Sequence, residues 1–384
     1  MSTIERTESM NKNESMKHLR DDLDRIDRDL LSLFQERMEK IDQVAEIKRR
    51  DNIAITDEAR EKEIVERALG LTNPDISGEV TTYVRTILGL SKFRQRKLLF
   101  DLSEDPLLPP PTEPVTRDQA VAFQGVAGAW GELAALNLYP DAEKTGLESF
   151  EEVFAAVKEN RVHYGILPIE NSRTGAIGEV YDLLRKYGCY IVGQTWVQAK
   201  HCLMALPGTK IEDIREVHSH PEGFRQCSQF LRKRSWDLTA SRNTAVAAKM
   251  VSEKQEKRLA AIGSARAAEL YGLTVITHDI MDDPGNKTRF IAIASRPEYD
   301  ETCDTVSLTF RTANRAGALC EVLFHFMAAG INLTRIESRP MLGGKFCFFA
   351  DVDGNVLEEF VARGIRHAAA AGSYMEVLGC FRSI

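Results

Sequence analysis

The sequence predicts a multidomain chain: an all-α domain of three helices, an α/β domain with room for two lobes, and a small α+β domain of ferredoxin-like order. Three observations predict it. Apolar residues recur at helical spacing through most of the first hundred residues. Short apolar runs then alternate with helical patterns over residues 119–297. Residues 303–384 read β-α-β-β-α-β. The boundaries fall at 14–100 for the helical domain, 101–118 for a linker, 119–297 for the α/β domain and 303–384 for the last.

Composition excludes several classes. With 384 residues the chain exceeds one ordinary core, and 43% apolar with 28% charged residues is a soluble globular balance. A net charge of -7 gives no general basic footprint, so nucleic acid is not an expected partner. Met1 to Met16 lacks an apolar h-region, and no apolar run approaches the roughly 20 residues of a bilayer span. A cytoplasmic protein without membrane association is expected. The seven cysteines, at 189, 202, 227, 303, 320, 347 and 380, are scattered without a Cys-x-x-Cys pair. They read as buried thiols, and no metal or cofactor is expected.

In the helical domain Leu19, Leu23, Ile26, Leu30, Leu33, Ile41 and Val44 mark one face of a helix from about Met16 to Arg50. A helix roughly 50 Å long is more than a small single-chain bundle covers, so a second chain is expected. The same rhythm puts Arg37 and Lys48 on the core-facing seam, where an unpaired charge is costly. A second helix opens with Asp57, Arg60, Glu61 and Ile64 on one face, and a third, from about Asp75 to Phe100, carries Ser91 and Gln95 in its apolar register. An internal ion-pair network or a polar-specified coiled-coil surface explains any one of these residues. An enclosed site for a polyanionic ligand accounts for all of them together.

Pro106, Pro109, Pro110, Pro111 and Pro114 make the linker a semi-extended spacer. In the α/β domain strands are expected at Ala120 to Phe123, Tyr164 to Leu167, Tyr190 to Val197, Cys202 to Leu206, Leu259 to Ile262 and Phe290 to Ala294. One helix follows a capping box at Ser149 and Glu152, and another opens after Asn243. Between Tyr164 and Leu184 the pattern is strand, polar turn, helix, with Asn171 and Ser172 as cap-type residues. Such a turn offers free N–H groups and two small polar side chains to a carboxylate, although a well-capped helix explains it equally well.

The run from Pro168 to Leu184, Pro-Ile-Glu-Asn-Ser-x-x-Gly-Ala-Ile-x-x-Val-Tyr-Asp-Leu-Leu, closely resembles the signature of prephenate dehydratases. Four further segments are similar to that family: Ser219-His220-Pro221 with Gln226-Cys227, Ala261 to Ser264 running on through Ala268 to Leu273, Asn286 to Phe290, and Gly125 to Glu132. Two positions depart from it. Glu222 replaces the usual Gln, and Trp130-Gly131 stands where the family usually has a hydroxyl pair. Backbone N–H groups at Gly128 to Gly131 are a partial substitute for the missing hydroxyl. The resemblance implies two lobes like those of periplasmic binding proteins, the chain crossing near 198 and 277. It makes Thr288 the catalytic hydroxyl, as a positioned donor because a free threonine is too weak an acid, and Asn171, Ser172 and Arg289 the substrate ligands. Strand alternation sends Thr288 and Arg289 to opposite faces, which suits a structural role for one of them. His220, before a proline in a turn, reads as structural or as a general acid.

The first hundred residues resemble the all-helical class of chorismate mutases, through Leu19-Arg20-x-x-Leu23-x-x-Ile26-Asp27, Glu36-Arg37, Lys48, Asp57, Arg60-Glu61, Ser91 and Gln95. This implies an intertwined homodimer. Arg20 from the partner chain and Arg37 would hold the substrate carboxylates, Lys48 and Gln95 the ether oxygen, and Glu61 and Asp57 the ring hydroxyl end. Arg60 and Ser91 would complete the wall. A pericyclic rearrangement needs no nucleophile, so cations and an amide suffice.

Gly317-Ala318-Leu319 and Glu337-Ser338-Arg339-Pro340 are similar to the phenylalanine-binding elements of ACT domains, a plain dimerisation sheet being the other reading. Together the resemblances imply a bifunctional chorismate mutase/prephenate dehydratase of phenylalanine biosynthesis, inhibited by phenylalanine. Two alternatives stand beside it: a dehydratase preferring arogenate, the aminated relative of prephenate, and a non-catalytic amino-acid sensor.

Overall fold

The computed structural model describes residues 3–99, 106–113, 120–341, 345–372 and 374–383. Of the expected linker, 101–105 and 114–118 lie outside these, as do the domain-end residues Phe100, Gln119 and Ile384. The chain divides into two compact units, one holding the three N-terminal helices and the other all of the strands.

In the first unit α1 runs Thr3–Arg50, α2 Glu58–Gly70 and α3 Ser77–Leu99. α1 begins at Thr3 rather than near Met16 because the preceding residues include no Pro or Gly to stop it. Asp57 caps α2, accepting from Arg60 N at 3.0 Å. A 3-10 turn at Pro74–Ile76, capped by Asn73, moves the start of α3 past Asp75. Arg94 clamps Asp42 through two bonds of 2.7 and 2.6 Å, tying α3 to α1. Leu19, Leu23, Ile26, Leu30 and Leu33 stay between 42% and 62% exposed, so the stripe that drives α1 is not covered within one chain.

The second unit opens with β1 (Ala120–Gln124), α4 (Trp130–Leu138), β2 (Glu143–Leu147), α5 (Phe150–Lys158), β3 (Tyr164–Asn171), β4 (Gly175–Ala176), α6 (Gly178–Tyr187) and β5 (Tyr190–Gln198). A second lobe holds β6 (His201–Ala205), β7 (Glu216–Ser219), α7 (Pro221–Gln226), α8 (Ser228–Leu231), β8 (Asp237–Ala240), α9 (Thr244–Lys254), β9 (Leu259–Ser264), α10 (Ala265–Leu270) and β10 (Thr274–Thr277). β11 (Lys287–Ala294) then returns to the first lobe. The sheets run β2-β1-β3-β11-β5, with β4 against β3, and β10-β6-β9-β7-β8. Each lobe has its own apolar core, and the chain crosses between them twice, after Gln198 and before Lys287.

β12 (Thr305–Arg311), α11 (Ala318–Ala328), β13 (Leu333–Met341), β14 (Lys345–Asp353), α12 (Glu359–Ala371) and β15 (Tyr374–Phe381) follow. Their antiparallel sheet, β13-β14-β12-β15, has the ferredoxin-like order expected. Its Cys347, Phe349, Leu378 and Phe381 share one apolar core with Tyr181 and Ile191 of the first lobe. The small domain is therefore welded to that lobe.

Three further expectations change, the first being that the cysteines are all buried: Cys320 is exposed and Cys303 half-buried. The chain after β3 does not enter a helix: Asn171 ends a hairpin to β4, and α6 begins at Gly178 with Ile177 as an N-cap lacking a side-chain bond. Asn171 and Ser172 thus serve a β-turn, which favours the same residue types as a cap. The described part of the linker is not a free spacer either. Leu108 is buried, Thr112 N donates to Pro297 O at 3.0 Å, and Tyr299 Oη donates to Pro109 O at 3.1 Å.

Candidate functional site

Between the two sheets lies a cavity of about 440 Å³. β3 and β11 supply its floor, and their antiparallel register places Asn171 opposite Thr288. Asn171 Oδ1 accepts from the backbone N–H of Arg173 at 3.0 Å and of Thr174 at 3.1 Å. That fixes the amide, so Nδ2 donates to Thr288 Oγ1 and to Asn286 Oδ1, each at 2.9 Å. Thr288 Oγ1 is an acceptor in this bond and keeps its own proton to give.

The second lobe supplies an ordered polar chain. Glu222, an acceptor when ionised, takes a hydrogen bond from Gln226 Nε2 at 2.9 Å. Gln226 Oε1 must then accept from His201 Nε2, 2.8 Å away. His201 is 2% exposed, and burial pulls its pKa down against the opposing pull of Gln226 and Glu222, which favours the neutral ring. Its ring and that of Trp130 meet in a T-shaped contact, with centroids 5.4 Å apart. His220 caps α7, its Nδ1 accepting from Glu222 N at 3.1 Å, and the same residue lines the cavity, so the cap does not choose between its two expected roles. Arg242 is the only Lys or Arg among the described residues lining the cavity, and it has Glu148 at 3.8 Å. Sequence reasoning passed over Arg242, His201 and Thr244; the one signal was the helix start at Asn243, whose Oδ1 caps α9 beside them.

The departure at Gly131 has a steric side, since a Cβ there would lie 3.2 Å from Gln124 O. Of the N–H groups expected to compensate, those of Gly128 and Ala129 are taken by Glu132 Oε2 and Val126 O. Trp130 and Gly131, the first residues of α4, have no intrahelical acceptor for theirs.

Two expected substrate ligands stand elsewhere. Ser172 closes the end of the β3–β11 ladder, its Oγ accepting from Lys287 N at 3.0 Å, and does not line the cavity. Arg289, next to Thr288, is turned to the opposite face by strand alternation, is 6% exposed, and pairs with Asp351 at 2.7 Å and Gln194 at 3.0 Å. Burial works against its charge, but Asp351, Tyr181 and Glu170 outweigh that and raise its pKa.

The helical unit gathers a second set. Arg37 donates to Ser91 Oγ, and burial lowers its pKa. Lys48 Nζ donates to Ile55 O at 2.7 Å, and Glu61 meets Lys92 at 3.1 Å. Ser91, Lys92 and Gln95 are buried on α3, and Gln95 Oε1 has no partner among the described residues. Lys92 escaped the sequence reading. Asp57 is occupied as a cap, and Arg60 is exposed and turned to Glu63 at 2.6 Å. Arg20 sits about 40 Å from Lys48 along α1, beyond reach of the same cluster.

In the C-terminal domain Gly317, at φ +81°, caps α11, Ala318 is buried behind it, and Leu319 follows. Glu337 and Arg339 share one face of β13 while Ser338 faces the other way. Arg339 lies against Gly178 and pairs with Asp182 at 3.4 Å.

Residues 19–96 match the family model for chorismate mutase type II, and residues 121–298 that for prephenate dehydratase. The chain is 30% identical over 376 residues to the bifunctional chorismate mutase/prephenate dehydratase of Escherichia coli (strain K12), covering 95% of each. The chain belongs to this bifunctional family. It is also 36% identical over 299 residues to arogenate dehydratase/prephenate dehydratase 2 of Arabidopsis thaliana, which spans 72% of this chain and 78% of that one. Among solved structures it is similar to prephenate dehydratase from Arthrobacter aurescens in complex with L-Phe, with TM-score 0.63 and 26% identity over 68% of this chain and 90% of that one. As a member of the bifunctional family the chain carries a chorismate mutase domain ahead of a prephenate dehydratase domain, so the non-catalytic sensor alternative falls away.

Proposed function

We propose that the helical unit rearranges chorismate to prephenate and that the cleft converts prephenate to phenylpyruvate, with water and carbon dioxide leaving together. The observation that carries the cleft is the Asn171–Thr288 hydrogen bond, which leaves a threonine proton to give. In the dehydration the ring carboxylate departs as carbon dioxide, its bonding electrons pass through the ring, and the hydroxyl opposite leaves as water after taking one proton. Aromatisation drives the step, so the protein need only orient the dianion and deliver that proton. Thr288 positions it, polarised by Asn171, while Arg242 and the N–H groups of Trp130 and Gly131 suit the carboxylates.

For the mutase, Arg37, Lys48 and Gln95 are the groups to hold the folded substrate and its breaking ether, with Glu61, Asp57, Arg60 and Ser91 around them. The exposed stripe on α1 supports a homodimer in which the partner's helix brings Arg20. The C-terminal domain, read as an ACT domain, takes phenylalanine through Gly317 to Leu319 and Glu337 to Arg339. An Arthrobacter relative holding L-Phe supports this. Saturating phenylalanine should slow dehydration and leave the mutase unaffected, and an indifferent dehydratase would remove the regulatory assignment.

A second substrate, arogenate, is favoured by one observation. Glu222 lines the cleft and, although it is paired with Arg225 and accepts from Gln226, it is a carboxylate that complements an ammonium group which prephenate lacks. Comparing kcat/KM for prephenate and arogenate on the same preparation decides between them.

A further inference from the structure

Arg289 neither lines the cavity nor stands alone. Its guanidinium joins three elements: Asp351 of β14 at 2.7 Å, Gln194 of β5 at 3.0 Å, and Glu170 of β3 at 3.5 Å. Each end of this cluster is held in turn. Asp351 accepts from Ser307 of β12, and Glu170 is paired with Arg335 of β13 at 2.7 Å. Two strands of the C-terminal sheet, β13 and β14, the latter braced by β12, therefore grip two residues of the dehydratase lobe, and these are the immediate neighbours of the cleft pair. Glu170 precedes Asn171, Arg289 follows Thr288, and the ladder pairs Arg289 with Glu170 and Thr288 with Asn171.

The ladder is irregular at this point. The β3–β11 register shifts between Arg289 and Phe290, leaving Ile169 of β3 as the extra residue, while β11 stays in register with β5 through Thr288 and Val197 and through Arg289 and Trp196. The bulged strand is β3, where an extra residue next to Glu170 and Asn171 re-aims their side chains, so contacts beyond the ladder help to set their direction. Buried ion pairs do so strongly, because removing one partner strands a charge.

We propose that Arg289 is a positioning residue, through which the C-terminal sheet fixes the geometry of Asn171 and Thr288 across the bulge. Dehydration then depends on the C-terminal sheet without any residue of that sheet touching substrate. The inference rests on reading the cleft as the dehydratase site.

The test is steady-state kinetics of the full chain on prephenate and arogenate, with thermal melting of each variant. Asp351→Asn removes the carboxylate that anchors Arg289 and should lower kcat about tenfold with KM changed less than about twofold. Asp351→Glu, keeping the charge, should recover most of that loss. Ser307→Ala and Arg335→Gln, which leave the central pair intact, should lower kcat about two- to threefold, and they decide the matter if Asp351→Asn does not fold. A purely stabilising network predicts lower melting midpoints with kcat unchanged in every folded variant, and that result overturns the proposal. A parent chain inactive on both substrates would instead count against the reading of the cleft and take the inference with it.

Discussion

Asn171 Nδ2 stands 2.9 Å from Thr288 Oγ1, and because Asn171 Oδ1 is committed to two backbone N–H groups, the direction of this bond is fixed. Thr288 accepts, so its proton points onward. Thr288→Ala should lower dehydratase kcat by about 10²-fold or more, while Thr288→Ser, which restores a hydroxyl, should lose far less. The mutase activity of both variants should equal that of the parent. Retention of most dehydratase turnover by Thr288→Ala would remove Thr288 from the mechanism.

Lys48 belongs to the other unit, where its Nζ rests on Ile55 O. Stabilising negative charge on a breaking ether needs that cation, so Lys48→Ala should cut chorismate rearrangement by about 10²-fold or more. Dehydration of supplied prephenate should be nearly intact. Equal loss of both activities would contradict the division of labour.

The sequence was most legible where burial was deepest. β1, β3, β6, β9 and β11 are largely buried and, with the half-buried β5, stand where apolar runs put them, whereas β8 is exposed along its whole length and β2 along most of it, so neither carries an apolar run to find. The cleft was half legible. Thr288 and Asn171 were named from motifs, but the strand-to-helix turn was a misreading, since Asn and Ser suit hairpin turns as well as caps. Alternation separated Thr288 from Arg289 without saying which faced the cleft. That depends on Asp351, 62 positions further along the chain, which no local pattern reveals. Arg242 is marked only by the helix start beside it at Asn243, and His201 carries no motif signal of its own.

The exposed stripe on α1 predicts association through this helix. Introducing Leu23→Glu with Leu30→Glu should shift sedimentation toward monomer and lower mutase activity, because Arg20 lies too far from Lys48 to serve its own chain. An unchanged oligomer with full mutase activity would place the dimer contact elsewhere.

Glu298 is partly buried and accepts from Tyr164 Oη at 3.0 Å. Burial pushes its pKa up to about 7, against the opposing effect of Tyr164. The folded chain thus keeps a proton that the unfolded chain has already released, so this group's contribution is intact below its unfolded pKa near 4.5 and is lost as pH rises through about 7. Glu298→Gln should therefore raise the melting midpoint relative to the parent at about pH 8 and change it little at about pH 5. A difference independent of pH would show that Glu298 is not titrating in this range.

The most direct test of two activities in one chain supplies purified protein with chorismate alone and follows prephenate and phenylpyruvate over time. Prephenate should appear and be drawn on to phenylpyruvate without any added enzyme. Prephenate accumulating with no phenylpyruvate would contradict the assignment of prephenate to the cleft and leave arogenate as its substrate, and no consumption of chorismate would contradict the mutase.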